Sequence, residues 1–94
     1  MEIETRHEPD NGRFVIELDG AEAVLEYSEA GPRTLDYTST LVPEEHRNKG
    51  IGERLVLDAL RYAREQGVRV IPSCPFVRTV VKRHPEHQDL IAER

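Results

Sequence analysis

Arg47-Asn48-Lys49-Gly50-Ile51-Gly52 stands between a strand-like run ending at Leu41-Val42-Pro43 and a long amphipathic stretch that starts near Gly50. Two glycines two residues apart at a helix start let the backbone approach a ligand with no Cβ in the way. The first N–H groups of such a helix have no intrahelical partner, and the aligned peptide dipoles add partial positive charge there. Arg47 and Lys49 bring two full charges to the same end. Together these residues read as an anion site suited to a pyrophosphate. The hexapeptide also fits an ordinary glycine-rich turn beside a solvated basic pair. It is no P-loop, because no Gly-Lys-Ser/Thr follows. It is no dinucleotide fingerprint either, because Leu55 stands where the third glycine should be. The order of strand, loop and helix favours the anion site.

Upstream of the loop the period is two. Residues 1–8 offer a weakly alternating first strand, and Pro9-Asp10-Asn11-Gly12 is a turn. Phe14, Ile16 and Leu18 alternate with Val15, Glu17 and Asp19, as in a strand with one face buried. Asp19-Gly20 suits a two-residue hairpin, after which Ala23, Leu25 and Tyr27 alternate with Val24, Glu26 and Ser28. Ala30-Gly31-Pro32 makes the next turn. Residues 34–42 then place Leu35, Tyr37, Ser39 and Leu41 on one face and Asp36, Thr38, Thr40 and Val42 on the other. Short turns between these strands predict an antiparallel meander.

Downstream the period changes. Ile51, Leu55, Ala59 and Ala63 recur every four residues, and Val56 and Leu60 widen the stripe. Arg54 with Asp58, and Arg61 with Glu65, form i,i+4 pairs on the wet side. Gly67 terminates the helix. Residues 68–73 are a β-branched run, which the helix returns parallel to the strand at 34–42. Pro75 suits the first turn of a second helix ending near Arg83, Pro85 interrupts it, and residues 86–92 add a short turn. The predicted order is β-β-β(-β)-α-β-α, with the anion loop at the carboxyl end of the strand before the long helix.

Ninety-four residues fit one domain, read as 1–94. A chain of this length buries only about 60–65% of its unfolded surface, so the pocket should be shallow. With 13 Lys+Arg against 18 Asp+Glu the formal net charge is −5, which argues against general nucleic-acid or membrane-surface binding. One cysteine makes no internal disulfide, and neither a signal peptide nor a long apolar run is evident. A cytoplasmic protein is expected.

The assembled motifs resemble the GNAT superfamily of acetyl-CoA-dependent N-acetyltransferases. Its signature loop is Gln/Arg-x-x-Gly-x-Gly/Ala between strand and helix, and Arg47, Gly50 and Gly52 occupy it. The chain is more closely similar to a compact single-domain group within that superfamily. Val42-Pro43, Ala63-Arg64, Ile71-Pro72-x-Cys74-Pro75-Phe76 and His84-Pro85-Glu86 carry that likeness, which spans residues 14–90. The resemblance implies an α/β fold with a mixed sheet: an antiparallel N-terminal meander, then α-β-α, with a parallel strand pair at the CoA cleft. It implies acetyl-CoA as cosubstrate, with the pyrophosphate on the backbone of Arg47, Asn48, Lys49, Gly50, Ile51 and Gly52. The pantetheine arm would run along Leu41 and Val42. The compact group carries a cysteine at the position of Cys74. It usually has His-Thr where this chain has Ser39-Thr40; if that histidine serves as a base elsewhere in the group, this chain lacks it. The two helices that cover the acceptor in larger members are also missing, which implies an open site or one completed by a partner or a second copy.

Cys74 falls at a helix N-cap, where the dipole favours a thiolate, and Arg78 lies one turn on. It reads either as a nucleophile that accepts acetyl or as a small buried residue. Ser39 and Thr40 are pocket candidates, with Phe76 and Arg78 beside them. Glu26, Asp36 and Glu44 are weakly supported bases for direct transfer. His84 and His87 are better read as a helix end than as metal ligands, so no metal is expected. His46 is loop decoration beside the anion site, and His7 carries no signal. Tyr27 and Tyr37 belong to the core or its rim. The function expected is acetyl transfer to an unidentified amine, a small molecule or a protein lysine. The alternatives are a module that binds or senses CoA thioesters without turnover, and a structural interaction domain.

Overall fold

The computed structural model describes residues 4–92. Four strands follow one another along the chain: β1 (Thr5–Glu8), β2 (Arg13–Leu18), β3 (Ala21–Glu29) and β4 (Thr34–Leu41). Each pairs antiparallel with the next. Leu18 faces Ala21 across the hairpin, and Gly20 takes φ +75° there, a conformation that costs glycine little. The helix α1 (Ile51–Gln66) then crosses to β5 (Arg69–Ile71), which pairs parallel with β4. A second helix, α2 (Pro75–Arg83), has Pro75 in its first turn, where the missing N–H is no loss. A 3-10 turn at Pro85–Leu90 leads to Ile91, which bridges back to Val70. The sheet order is β1-β2-β3-β4-β5. Residues 1–3 of the expected first strand lie outside the described residues.

One stripe of α1, formed by Ile51, Leu55, Val56, Ala59, Leu60 and Ala63, is buried against Phe14, Ile16, Ala23, Leu25, Tyr37 and Val70 of the sheet. Val77, Val80 and Val81 of α2 close the same core. Fully burying such a side chain stabilises by about 1.5–3 kcal/mol each, which sets the position of α1 and so of its N-terminus. The buried Tyr37 hydroxyl donates to the Ala59 carbonyl at 2.6 Å, fixing α1 to β4, and burial pushes its pKa up. On the wet side Arg54 pairs with Asp58 at 3.0 Å as expected. Arg61 turns to Asp58 at 3.2 Å and not to Glu65.

The expected alternation of β4 is wrong beyond Tyr37. Glu26 faces Ser39 while Tyr27 faces Tyr37, so Thr38 is an extra residue, a β-bulge. Thr38 donates its hydroxyl to the Glu26 carbonyl there, at 3.1 Å. The extra residue reverses the faces. Thr40, opposite Leu25, joins Tyr37 on the α1 side. Ser39 and Leu41 turn to the other side, and Leu41 is 63% exposed. A single residue of slip exchanges every later side chain between faces.

Acid should weaken the fold in two stages. His7 stacks on Phe14 at 4.3 Å between ring centroids and lies 2.5 Å from the Tyr27 hydroxyl; burial holds its pKa below the usual histidine value. The unfolded chain therefore takes up that proton more readily. Stability is full above about pH 6.5 and falls as pH drops through that value. Glu8, Glu53 and Asp89 are held below the carboxylate range, chiefly by hydrogen bonds from Arg13, His84 and Arg64 respectively. Their contribution is present above about pH 4.5 and is lost as pH falls further. Thermal melts against pH should show both declines, the first removed by His7→Gln. A melting temperature that rises between about pH 7 and 5.5 would contradict this.

Candidate functional site

The parallel pairing of β4 with β5 covers only Thr34–Asp36 opposite Arg69–Ile71. One more bond follows, from the Cys74 amide to the Tyr37 carbonyl at 3.0 Å. At the bulge the two chains part. β5 turns into α2, while β4 runs on through Thr40, Leu41 and Val42. A cleft of about 480 Å³ opens in that gap, between the end of β4, the loop after it and the flank of α2.

The loop is shaped by its backbone. A 3-10 turn at Glu44–His46 leads into Arg47, and Asn48 and Gly50 both take left-handed conformations, at φ 66° and 78°. A Cβ placed on Gly50 would meet nothing within 4 Å, so this glycine is needed for its φ and not for clearance. Gly52 is the opposite case. It is helical and buried, and a Cβ there would lie 3.1 Å from the Phe76 ring and 3.2 Å from Val42 Cγ2. The first helical bond of α1 runs from the Arg54 amide to the Gly50 carbonyl at 3.0 Å. The amides of Ile51, Gly52 and Glu53 therefore have no intrahelical acceptor, and no side chain caps them. Arg47 donates Nε to the Val42 carbonyl at 3.0 Å, which ties its guanidinium to the cleft wall.

Most of the expected binding residues meet here. Thr40, Leu41, Val42, Arg47, Asn48, Gly50, Ile51, Gly52 and Phe76 all line the cleft. Lys49 does not; it is exposed beside it. Ser39 lies on the other face of the sheet, where it donates to Glu26 Oε1 at 3.1 Å. Arg78 also lies outside the cleft. Its guanidinium donates to the carbonyls of Pro72 and Ser73 at 3.0 and 3.1 Å, bracing the β5–α2 turn and not the thiol. Cys74 occupies the N-cap of α2, as expected, but is only 5% exposed and sits behind the cleft wall. Its Sγ donates to Thr40 Oγ1 at 3.5 Å, so Thr40, which lines the cleft, joins it to the thiol. Of the weak base candidates, Glu44 is exposed in the 3-10 turn, Asp36 sits opposite Ile71, and Glu26 accepts from Ser39.

Sequence reasoning missed Glu53 and Arg83, which line the cleft, and gave too small a part to His46, which lines it too. Glu53 and Arg83 are 30 positions apart, yet Arg83 Nη1 lies 3.0 Å from Glu53 Oε1. His84 Nε2 lies 3.2 Å from the other Glu53 oxygen. No local pattern links a partly buried glutamate on one helix to an arginine at the end of the next.

A sheet whose parallel strands splay beside a glycine-started helix N-terminus is the arrangement that the resemblance to acetyl-CoA-dependent acetyltransferases implies. A family description for GCN5-related N-acetyl-transferases matches residues 13–90, and the chain belongs to that family. Its members use acetyl-CoA. Among similar proteins, protein NATD1 of Bos taurus is 32% identical over 90 residues, covering 94% of this chain and 80% of that one. Protein NATD1 of Homo sapiens is 31% identical over 90 residues, with coverage of 94% and 80%. The solution structure of a GCN5-like protein from Staphylococcus aureus superposes with a TM-score of 0.74 at 25% identity. It covers 99% of this chain and 89% of that one.

Proposed function

We propose that the chain binds acetyl-CoA in the cleft and transfers its acetyl group to an amine, with Cys74 as the first acceptor. The observation that carries the binding is the row of unpartnered amides at Ile51, Gly52 and Glu53, opening into the cleft between Arg47 and Phe76. Three donors beside an arginine fit a pyrophosphate, and the buried, Cβ-free Gly52 keeps Val42 and Phe76 from closing over them. The thioester supplies an activated acyl carbon. Thr40 would face it at the inner end of the cleft, and the Cys74 thiol stands directly behind Thr40. The amine acceptor remains a class, a lysine or small amine. With no further helix over the outer side of β4 among the described residues, the acceptor or a second copy of the chain would complete the site. Glu26 and Ser39 on that side favour a cationic group. A cytoplasmic setting, where acetyl-CoA is at hand, is part of the same proposal.

Calorimetry against acetyl-CoA tests the binding. Affinity should fall as salt rises from about 0.05 to 0.5 M, because the Arg47 contribution is partly screened. Arg47→Ala should cost about 1–2 kcal/mol, the value of a charge-assisted hydrogen bond at a half-open site. Lys49→Ala should cost far less, since Lys49 does not line the cleft. Equal effects of the two substitutions, or no salt dependence, would move the phosphates elsewhere. Steady-state release of CoA that requires an added amine separates a transferase from a module that only holds the thioester.

A further inference from the structure

Glu53 is out of place in an anion site. It lines the cleft from the first turn of α1, where its carboxylate would repel a phosphate on the neighbouring amides. Two groups from the end of α2 answer it. Arg83 Nη1 contacts one carboxylate oxygen at 3.0 Å and His84 Nε2 contacts the other at 3.2 Å. These contacts hold Glu53 charged, its pKa lowered first by the His84 hydrogen bond and then by Arg83. The consequence for Arg83 matters more. Anchored by one N–H, its guanidinium is held at the cleft, and its Nε and Nη2 donors have no protein partner among the described residues.

The position of Arg83 along α2 selects its ligand. Cys74 and Arg83 stand at opposite ends of this helix, about 13 Å apart along its axis. If the acyl end of the cosubstrate lies by Cys74 and Thr40, the nucleotide end lies by Arg83. The pyrophosphate already has the amides of Ile51, Gly52 and Glu53 with Arg47. The phosphate left over is the one on the ribose. We infer that Arg83, oriented by Glu53, binds the 3′-phosphate of CoA and gives the cleft its preference for CoA over 3′-dephospho-CoA. This inference rests on the proposed CoA cleft.

Calorimetric titration of the folded chain with CoA and with 3′-dephospho-CoA tests it, using wild type, Arg83→Ala, Arg83→Lys and Arg47→Ala. Wild type should bind CoA roughly tenfold tighter than the dephosphorylated form, as one charge-assisted contact at a half-exposed arginine provides. Arg83→Ala should lose that preference by weakening CoA about tenfold more than dephospho-CoA, which loses only what the less well paired Glu53 carboxylate costs the pyrophosphate. Arg83→Lys should restore part of it, and Arg47→Ala should weaken both ligands alike. Equal weakening of both ligands in Arg83→Ala would assign Arg83 to the pyrophosphate or the fold and overturn the inference. A preference that survives Arg83→Ala would overturn it too and point to His46. Binding of both ligands with equal affinity by wild type removes this inference alone, whereas no binding of either removes the CoA cleft as well.

Discussion

Gly52→Val should lower acetyl-CoA affinity by a hundredfold or more, about 2.7 kcal/mol or greater, while the chain stays folded. A Cβ at this position already lies 3.1 Å from two atoms of the Phe76 ring and 3.2 Å from Val42 Cγ2. Both neighbours line the cleft, and the two further methyls of valine must push them into it. Overpacking of this kind costs about 1–3 kcal/mol of stability. Phe76 is 36% exposed and can turn outward, which keeps the cost towards the lower end and moves the ring into ligand space. Gly50→Ala makes the comparison. An added Cβ there meets nothing within 4 Å, but φ is +78°, so its effect is about 1–2 kcal/mol of backbone strain felt mainly in stability. Paired titrations and melts on the two variants should therefore separate binding from folding. Undiminished affinity in a folded Gly52→Val protein would remove the anion site from this loop.

Cys74→Ala should abolish a hydroxylamine-labile acetyl adduct that wild type acquires from acetyl-CoA. It should lower amine-dependent turnover by roughly a hundredfold, about 2.7 kcal/mol of barrier. In the proposed exchange the Sγ–acyl bond forms as the thioester C–S bond breaks, and the thiol proton ends on the CoA sulfur. The amine nitrogen then bonds to the acyl carbon as the Sγ–acyl bond breaks, and the proton lost by the amine returns to Sγ. Acetyl-CoA binding should survive the substitution, because the loop amides and Arg47 are separate from the thiol. Thr40→Val keeps the shape of the wall but removes the oxygen that accepts from Sγ at 3.5 Å, and should slow adduct formation without loss of affinity. Full turnover in Cys74→Ala would mean direct transfer to the amine. The 5% exposed thiol would then be packing at the head of α2.

Much of the architecture was legible because it follows from periodicity and turn chemistry. Asp19-Gly20 marked the β2–β3 hairpin, Gly67 the end of α1 at φ 67°, and Pro75 the start of α2. The resemblance carried by Arg47, Gly50 and Gly52 pointed to the end of β4, and a cavity lies there. What went wrong came from features with no sequence period. Thr38 bulges because the adjacent Glu26 and Tyr27 pair with residues two apart in β4, Ser39 and Tyr37, and nothing in Leu35-Asp36-Tyr37-Thr38-Ser39 announces it. That one residue took Ser39 out of the pocket and put Thr40 into it. Arg78 points at the carbonyls behind it, a choice made by the β5–α2 turn and not by its spacing from Cys74. The Glu53–Arg83 contact joins two helices whose docking is decided by the core beneath them.

The central claim is that the amides at the start of α1 and the free end of β4 together receive acetyl-CoA. Titrating the isotopically labelled chain with acetyl-CoA and following each backbone amide by NMR tests it most directly. The account predicts the largest shifts at Gly50, Ile51, Gly52 and Glu53 and at Thr40, Leu41 and Val42, saturating together with one dissociation constant. Shifts confined to the groove of His7, Phe14 and Tyr62 between the sheet and α1, or no shifts at all, would contradict it.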